Sequence, residues 1–177
     1  MNAHLATALV LMTLGAASAM PARERIRLVV IVSSSQTVRD LSSGDLRRIY
    51  VGEMTRWPDG HRIVPVMLPT RSRESAVFLK RVVRMSAIDF AQEWIGAVFR
   101  GRAPAPPVVV ANAGDALRFV ASHPESIAVI PDELSPGVAP STSGGDVSAM
   151  RPEPHIGVRV INIDGRSPRA SEYPLNW

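Results

Sequence analysis

Short apolar runs alternate along this chain with stretches whose apolar residues recur every three or four positions. Arg27 to Val32 (R-L-V-V-I-V) is a continuous β-branched run and predicts a buried strand, ended by Ser33-Ser34-Ser35-Gln36. Ser42 or Ser43 then caps a helix that has Asp45 in its first turn, Leu46, Ile49 and Tyr50 on one face and Gly52 near its end. Trp57-Pro58-Asp59-Gly60 is a turn, because Pro fixes one backbone angle and Gly frees another. Ile63 to Leu68 is the next strand, and Pro69 stops it. A second helix is expected from about Ser72 to Met85, with Val77, Phe78, Val82 and Met85 inward. A third follows, with a capping box at Ser86 and Asp89 and a stripe of Phe90, Trp94 and Val98 filled by Ala91 and Ile95.

Beyond the proline-containing loop Arg100 to Pro107, Val108 to Ala111 reads as a short strand. Asn112 caps a fourth helix with Ala116, Leu117 and Val120 inward. Ser126 to Ile130 is another apolar strand. Pro131 to His155 is rich in Pro, Ser and Gly and reads as a long loop, and Gly157 to Ile163 is a last strand. Strands alternating with helices predict an α/β fold with a largely parallel sheet.

The N-terminal run changes the address. Leu5 to Leu14 is apolar apart from two threonines and leads into Ala17-Ser18-Ala19, an A-x-A cleavage signal, so residues 1–19 read as a secretory signal peptide. The run is too short to span a bilayer. The remaining residues, 20–177, are expected to form an exported, periplasmic protein that does not span the membrane.

Composition mainly excludes. With no cysteine in 177 residues there is neither disulfide nor thiolate chemistry, and the four histidines lack ligand spacing, so no metal or other cofactor is expected. Twenty basic residues against sixteen acidic give +4, and nineteen of the twenty are arginine, Lys80 being the exception. Acidic residues are interspersed with the arginines, which argues against a nucleic-acid partner. The sequence has no G-x-S-x-G, P-loop or zinc signature, and Glu53 and Asp59 fall on different elements, so no enzyme is expected.

The positive chemistry gathers after the second strand, in Pro69-Thr70-Arg71-Ser72-Arg73-Glu74-Ser75. A strand running into a Ser/Arg-rich helix start brings free amides and the positive end of a helix dipole to one place. Arg71 and Arg73 add charge, and Thr70, Ser72 and Ser75 add hydroxyls, so this loop is a candidate anion site. The same residues also suit an ordinary capped helix start. Ser33 and Ser34 are weaker candidates for lining the same cleft.

Leu46-Arg47-Arg48-Ile49-Tyr50-Val51-Gly52, continued by Trp57-Pro58-Asp59, resembles the L-x-x-I-[FY]-x-G-x-x-x-x-W-x-D segment of phosphate-binding proteins of ABC transporters. The strand Arg27 to Val32, the loop before Phe78, the strand within Ala121 to Ile130 and the tail Tyr173-Pro174-Leu175 fall where that family has its corresponding segments. The resemblance implies a type 2 periplasmic-binding-protein-like fold with mainly parallel sheets in two small lobes: lobe I at about 27–67 plus 157–177, lobe II at about 70–130, and a loop at 131–156. It implies non-covalent binding of phosphate or a similar small oxyanion, with an ABC permease or a membrane sensor as partner. The chain departs from the family in being about half as long and in a binding loop without glycine. A ligand-free periplasmic interaction or sensor module that keeps the fold is therefore the alternative reading.

Overall fold

The computed structural model describes residues 26–135 and 157–177. The expected signal peptide and most of the expected 131–156 loop lie outside them. The chain forms β1 (Leu28–Ser33), β2 (Asp40–Leu41), α1 (Ser43–Tyr50), β3 (Val64–Met67), α2 (Arg73–Phe78), α3 (Ala87–Phe99), β4 (Val108–Val109), α4 (Ala113–Ser122), β5 (Ser126–Pro131) and β6 (Val158–Ile163). Pro131, expected to open the loop, completes β5, and a 3₁₀ turn over Asp132–Leu134 follows it.

The six strands form one sheet in the order β2-β6-β1-β5-β3-β4. β1 pairs antiparallel with both β5 and β6, whereas β2–β6, β3–β5 and β3–β4 are parallel. Five strands thus run one way and β1 alone runs the other. The α/β class with a mainly parallel sheet is the fold observed. The strands expected in two small lobes share this one sheet, because β5, from the 70–130 stretch, pairs with β1 on one side and β3 on the other. All six residues of β1 are buried, as a continuous β-branched run between covered faces requires.

The helices begin where the sequence places them. Ser42, Ser72, Ser86 and Asn112 each accept a hydrogen bond from the backbone amide three residues on, filling one of the donors a helix start leaves open. Two regions differ from expectation. The second helix is α-helical only to Phe78; Leu79–Val83 continues as a π-helix, and Arg84 ends it in the left-handed conformation at φ 61°. In α3 the buried residues are Phe90, Trp94 and Ala97, spaced four and three apart. Ile95, expected to fill that stripe, lies one residue round from Trp94 and is 71% exposed. Val98 is also exposed.

Tyr50, the last residue of α1, joins the layers. Its phenol is fully buried and donates to the carbonyl of Val66 on β3 at 2.7 Å. Its ring meets Phe78 of α2 edge-on at 4.7 Å, and its carbonyl accepts from the indole of Trp94 on α3 at 2.9 Å. Two residues on, Gly52 has φ 73°, and a Cβ there would stand 3.0 Å from the Trp94 ring and 3.1 Å from Ala103. The glycine therefore answers both a backbone and a space requirement.

Burial pushes the Tyr50 and Tyr173 phenols above their ordinary value near 10. The folded state then holds these protons at pH values where the unfolded chain releases them. Stability is therefore retained below pH 10 and falls as pH rises above it. Urea titrations from pH 8 to 11 are expected to show this fall, and Tyr50→Phe to reduce its slope. At pH 7, Tyr50→Phe is expected to cost about 1–3 kcal/mol, since the buried Val66 carbonyl loses a donor.

Candidate functional site

Pro69 cannot extend β3, because it has no amide to donate. The chain turns there: the Ser72 amide donates to the Pro69 carbonyl at 2.8 Å, and α2 begins. The Ser72 hydroxyl accepts from the Ser75 amide at 3.1 Å, and the Ser72 carbonyl from the Ala76 amide at 3.0 Å. Ser75 is buried and donates its hydroxyl to the Leu68 carbonyl at 2.9 Å, tying the first turn of α2 to the end of β3.

Thr70, Arg71 and Arg73 are exposed around this turn, Ser72 is half-buried, and Glu74 is half-buried in the first turn of α2. Beneath them lies a cavity of about 10 Å³ bounded by Leu28, Tyr50, Glu74, Ser75, Phe78 and Val129. It has room for about one water molecule and no more. The junction is thus an outward shelf with two guanidinium groups on it, and one carboxylate opposes them.

Ser33 and Ser34 are not brought to this shelf. Leu28, at the start of β1, lies beside Glu74 and Ser75, and Ser33 ends the strand. Five residue steps of strand separate them, about 17 Å. Ser33 is buried with its hydroxyl 2.9 Å from that of Ser35, and Ser34 is exposed. Their carbonyls accept from Arg159 of β6, at 3.3 Å for Ser33 and 2.7 Å for Ser34, and the same guanidinium group reaches the Gln36 carbonyl. The serine run is a strand end clasped by an arginine that the sequence reading passed over.

The Trp57 turn is structural in its contacts. The ring is buried, its indole donates to the Glu125 carbonyl at 3.2 Å, and its amide donates to the His61 carbonyl at 2.8 Å. Gly60 supplies the positive φ, at 88°. Among the described residues no three His, Asp or Glu side chains stand together as a metal site, and no helix is long and apolar enough to cross a membrane.

No family model and no curated protein matches the sequence. Solved structures do match the fold. An ABC-type phosphate transport receptor from Vibrio cholerae superposes with a TM-score of 0.59 at 17% identity, over 86% of this chain and 54% of that one. PstS from Borrelia burgdorferi gives 0.58 at 12% identity, over 86% and 55%. A protein from Clostridium perfringens, described as a phosphate ABC transporter substrate-binding protein and solved with bound phosphate, gives 0.55 at 17% identity, over 81% and 47%. The fold is therefore of the type 2 periplasmic-binding kind, and the proteins that share it are those the sequence resembles. The chain spans about half the length of each.

Ser75→Ala leaves the buried Leu68 carbonyl without its donor and is expected to cost about 1–3 kcal/mol in urea unfolding. Thr70→Ala, at an exposed position nearby, is expected to stay within about 0.5 kcal/mol.

Proposed function

We propose that this chain is an exported, periplasmic solute-binding-type protein that holds phosphate or a similar small oxyanion non-covalently on the shelf between β3 and α2. The observation that carries the reading is the placement of Arg71 and Arg73, exposed beside a serine-capped helix start, in a fold shared with phosphate transport proteins. A planar guanidinium group presents paired donors that match two oxygens of a tetrahedral anion. Thr70 supplies a hydroxyl at the rim. Ser72 and Ser75 shape the turn through the bonds that occupy their side chains, and any contact they make with the anion is added to those bonds. Glu74 lowers the affinity, because it sets a negative charge in the same turn. No covalent step is involved, so the protein acts as a binder and not as an enzyme. Its natural partner is an ABC permease or a membrane sensor that distinguishes the loaded from the empty form.

Two observations favour the second reading, a ligand-free interaction module. The Ser75 hydroxyl is committed to the fold, and the cavity under the loop is too small for an anion. On that reading Arg71 and Arg73 are contacts for another protein.

A thermal-shift titration separates the two. Phosphate is compared with sulfate, arsenate and chloride at matched ionic strength. A ligand that binds only the folded state stabilises it by about 2.7 kcal/mol at a hundred times its Kd. The binding reading expects a selective rise in Tm with phosphate that Arg71→Ala with Arg73→Ala abolishes. A flat response to every anion supports the interaction module, and an unchanged response in the double variant removes the site from this loop.

A further inference from the structure

Away from the β3–α2 shelf, the π-helix places three basic residues within a short reach: Lys80, Arg81 and, at its left-handed end, Arg84. An αL conformation at a residue other than glycine or asparagine is uncommon and persists where the surroundings hold it. Here the Met85 amide closes the turn on the Leu79 carbonyl at 3.1 Å, and Arg47 of α1 donates from Nε to the Val83 carbonyl at 3.1 Å. Arg47, Arg81 and Arg84 consequently line one cleft of about 480 Å³, whose other side is the chain's tail, Pro174, Leu175 and Trp177. Among the described residues no carboxylate pairs with any of the three arginines. The nearby carboxylates on α1 and after β6 are engaged elsewhere: Asp45 with Ser42 and Arg48, and Asp164 with the Ser43 amide and hydroxyl.

Three cations around one cleft make it favourable for an anion. The volume falls within the range of small-molecule sites and far exceeds a single tetrahedral anion. One wall is cationic, and the other is formed by Pro174, Leu175 and Trp177. We propose that this cleft binds a phosphorylated organic molecule, its phosphate on the guanidinium groups of Arg47, Arg81 and Arg84 and its carbon skeleton against Pro174 and Trp177. The site is separate from the β3–α2 shelf and does not depend on it. It adjoins a second cleft, also lined by Arg84, that reaches Thr70 and Lys80.

Calorimetric titration of the full chain with phenyl phosphate, inorganic phosphate and benzyl alcohol, at matched ionic strength, tests the proposal. Phenyl phosphate is expected to bind one to one and at least ten-fold more tightly than inorganic phosphate, with no heat from the alcohol. Arg81→Gln combined with Arg84→Asn should weaken phenyl phosphate at least ten-fold; asparagine is chosen because it tolerates the αL conformation. Arg71→Ala with Arg73→Ala should change its affinity less than two-fold, which keeps this site distinguishable from the shelf. Trp177→Ala should remove the preference for the ester over inorganic phosphate, and unchanged circular dichroism and Tm establish that each variant is folded. Equal affinity in the Arg81/Arg84 variant and the parent would overturn the proposal. So would the absence of heat from phenyl phosphate, and so would binding to phosphatidic acid vesicles without any response to the soluble ester.

Discussion

One buried phenol holds the layers of this molecule in register. Tyr50 ends α1 inside the core, donates to a carbonyl of β3, supports the Phe78 ring of α2 and receives the indole of α3 on its own carbonyl. A polar group so deep is tolerable only because its hydrogen bond is made. Three helices are therefore tied together at a single residue, α2 and the sheet through its side chain and α3 through its carbonyl. The segments on either side inherit the constraint. Gly52 has to be glycine because Trp94, drawn in by Tyr50, occupies the space a side chain would need. The β3–α2 shelf stands directly above, since Tyr50, Phe78 and Ser75 border the same small cavity.

Much of this was legible because it is local. Each cap depends on a residue and the amide three positions later, so Ser72, Ser86 and Asn112 could be read directly, and the first cap narrowed to Ser42 or Ser43, of which the structure takes Ser42. The stretch from Leu46 to Asp59 carries the resemblance for a similarly local reason: its apolar spacing, its positive-φ glycine and its indole all lie within one short run. What escaped was set at long range. Ile95 fits a helical stripe as well as Ala97 does, and only the packed sheet decides which of them faces it. Strand polarity is invisible in a short apolar run. In an all-parallel sheet the ends of β1 and β3 would share an edge, and Ser33 would lie near Thr70. Because β1 alone runs the other way, the two ends are on opposite edges.

Arginine dominates both surfaces proposed as sites. On the shelf its counterpart is a carboxylate in the same turn, so the binding proposed there rests on a narrow balance of charge. In the cleft beside the π-helix no carboxylate among the described residues forms an ion pair with it. The arginines at 81 and 84 drew no attention in the sequence, because a basic residue on a helix is ordinarily a solvated one. Their grouping depends on the π-helix and on the left-handed turn at Arg84, neither of which has a local signature in a run such as Leu-Lys-Arg-Val-Val.

The reversed direction of β1 also bears on the order of events during synthesis. Its two neighbours are β5 and β6, which begin at Ser126 and Val158. At about 5–20 residues per second, a ribosome needs roughly 5–20 s to travel from the end of β1 to the start of β5. For that interval the most apolar strand of the sheet has no backbone partner. Pairings of such long sequence separation also close slowly. The nascent chain thus keeps a sticky, extended segment for seconds, an opportunity for a holding chaperone, and it completes its sheet only when the final third has emerged.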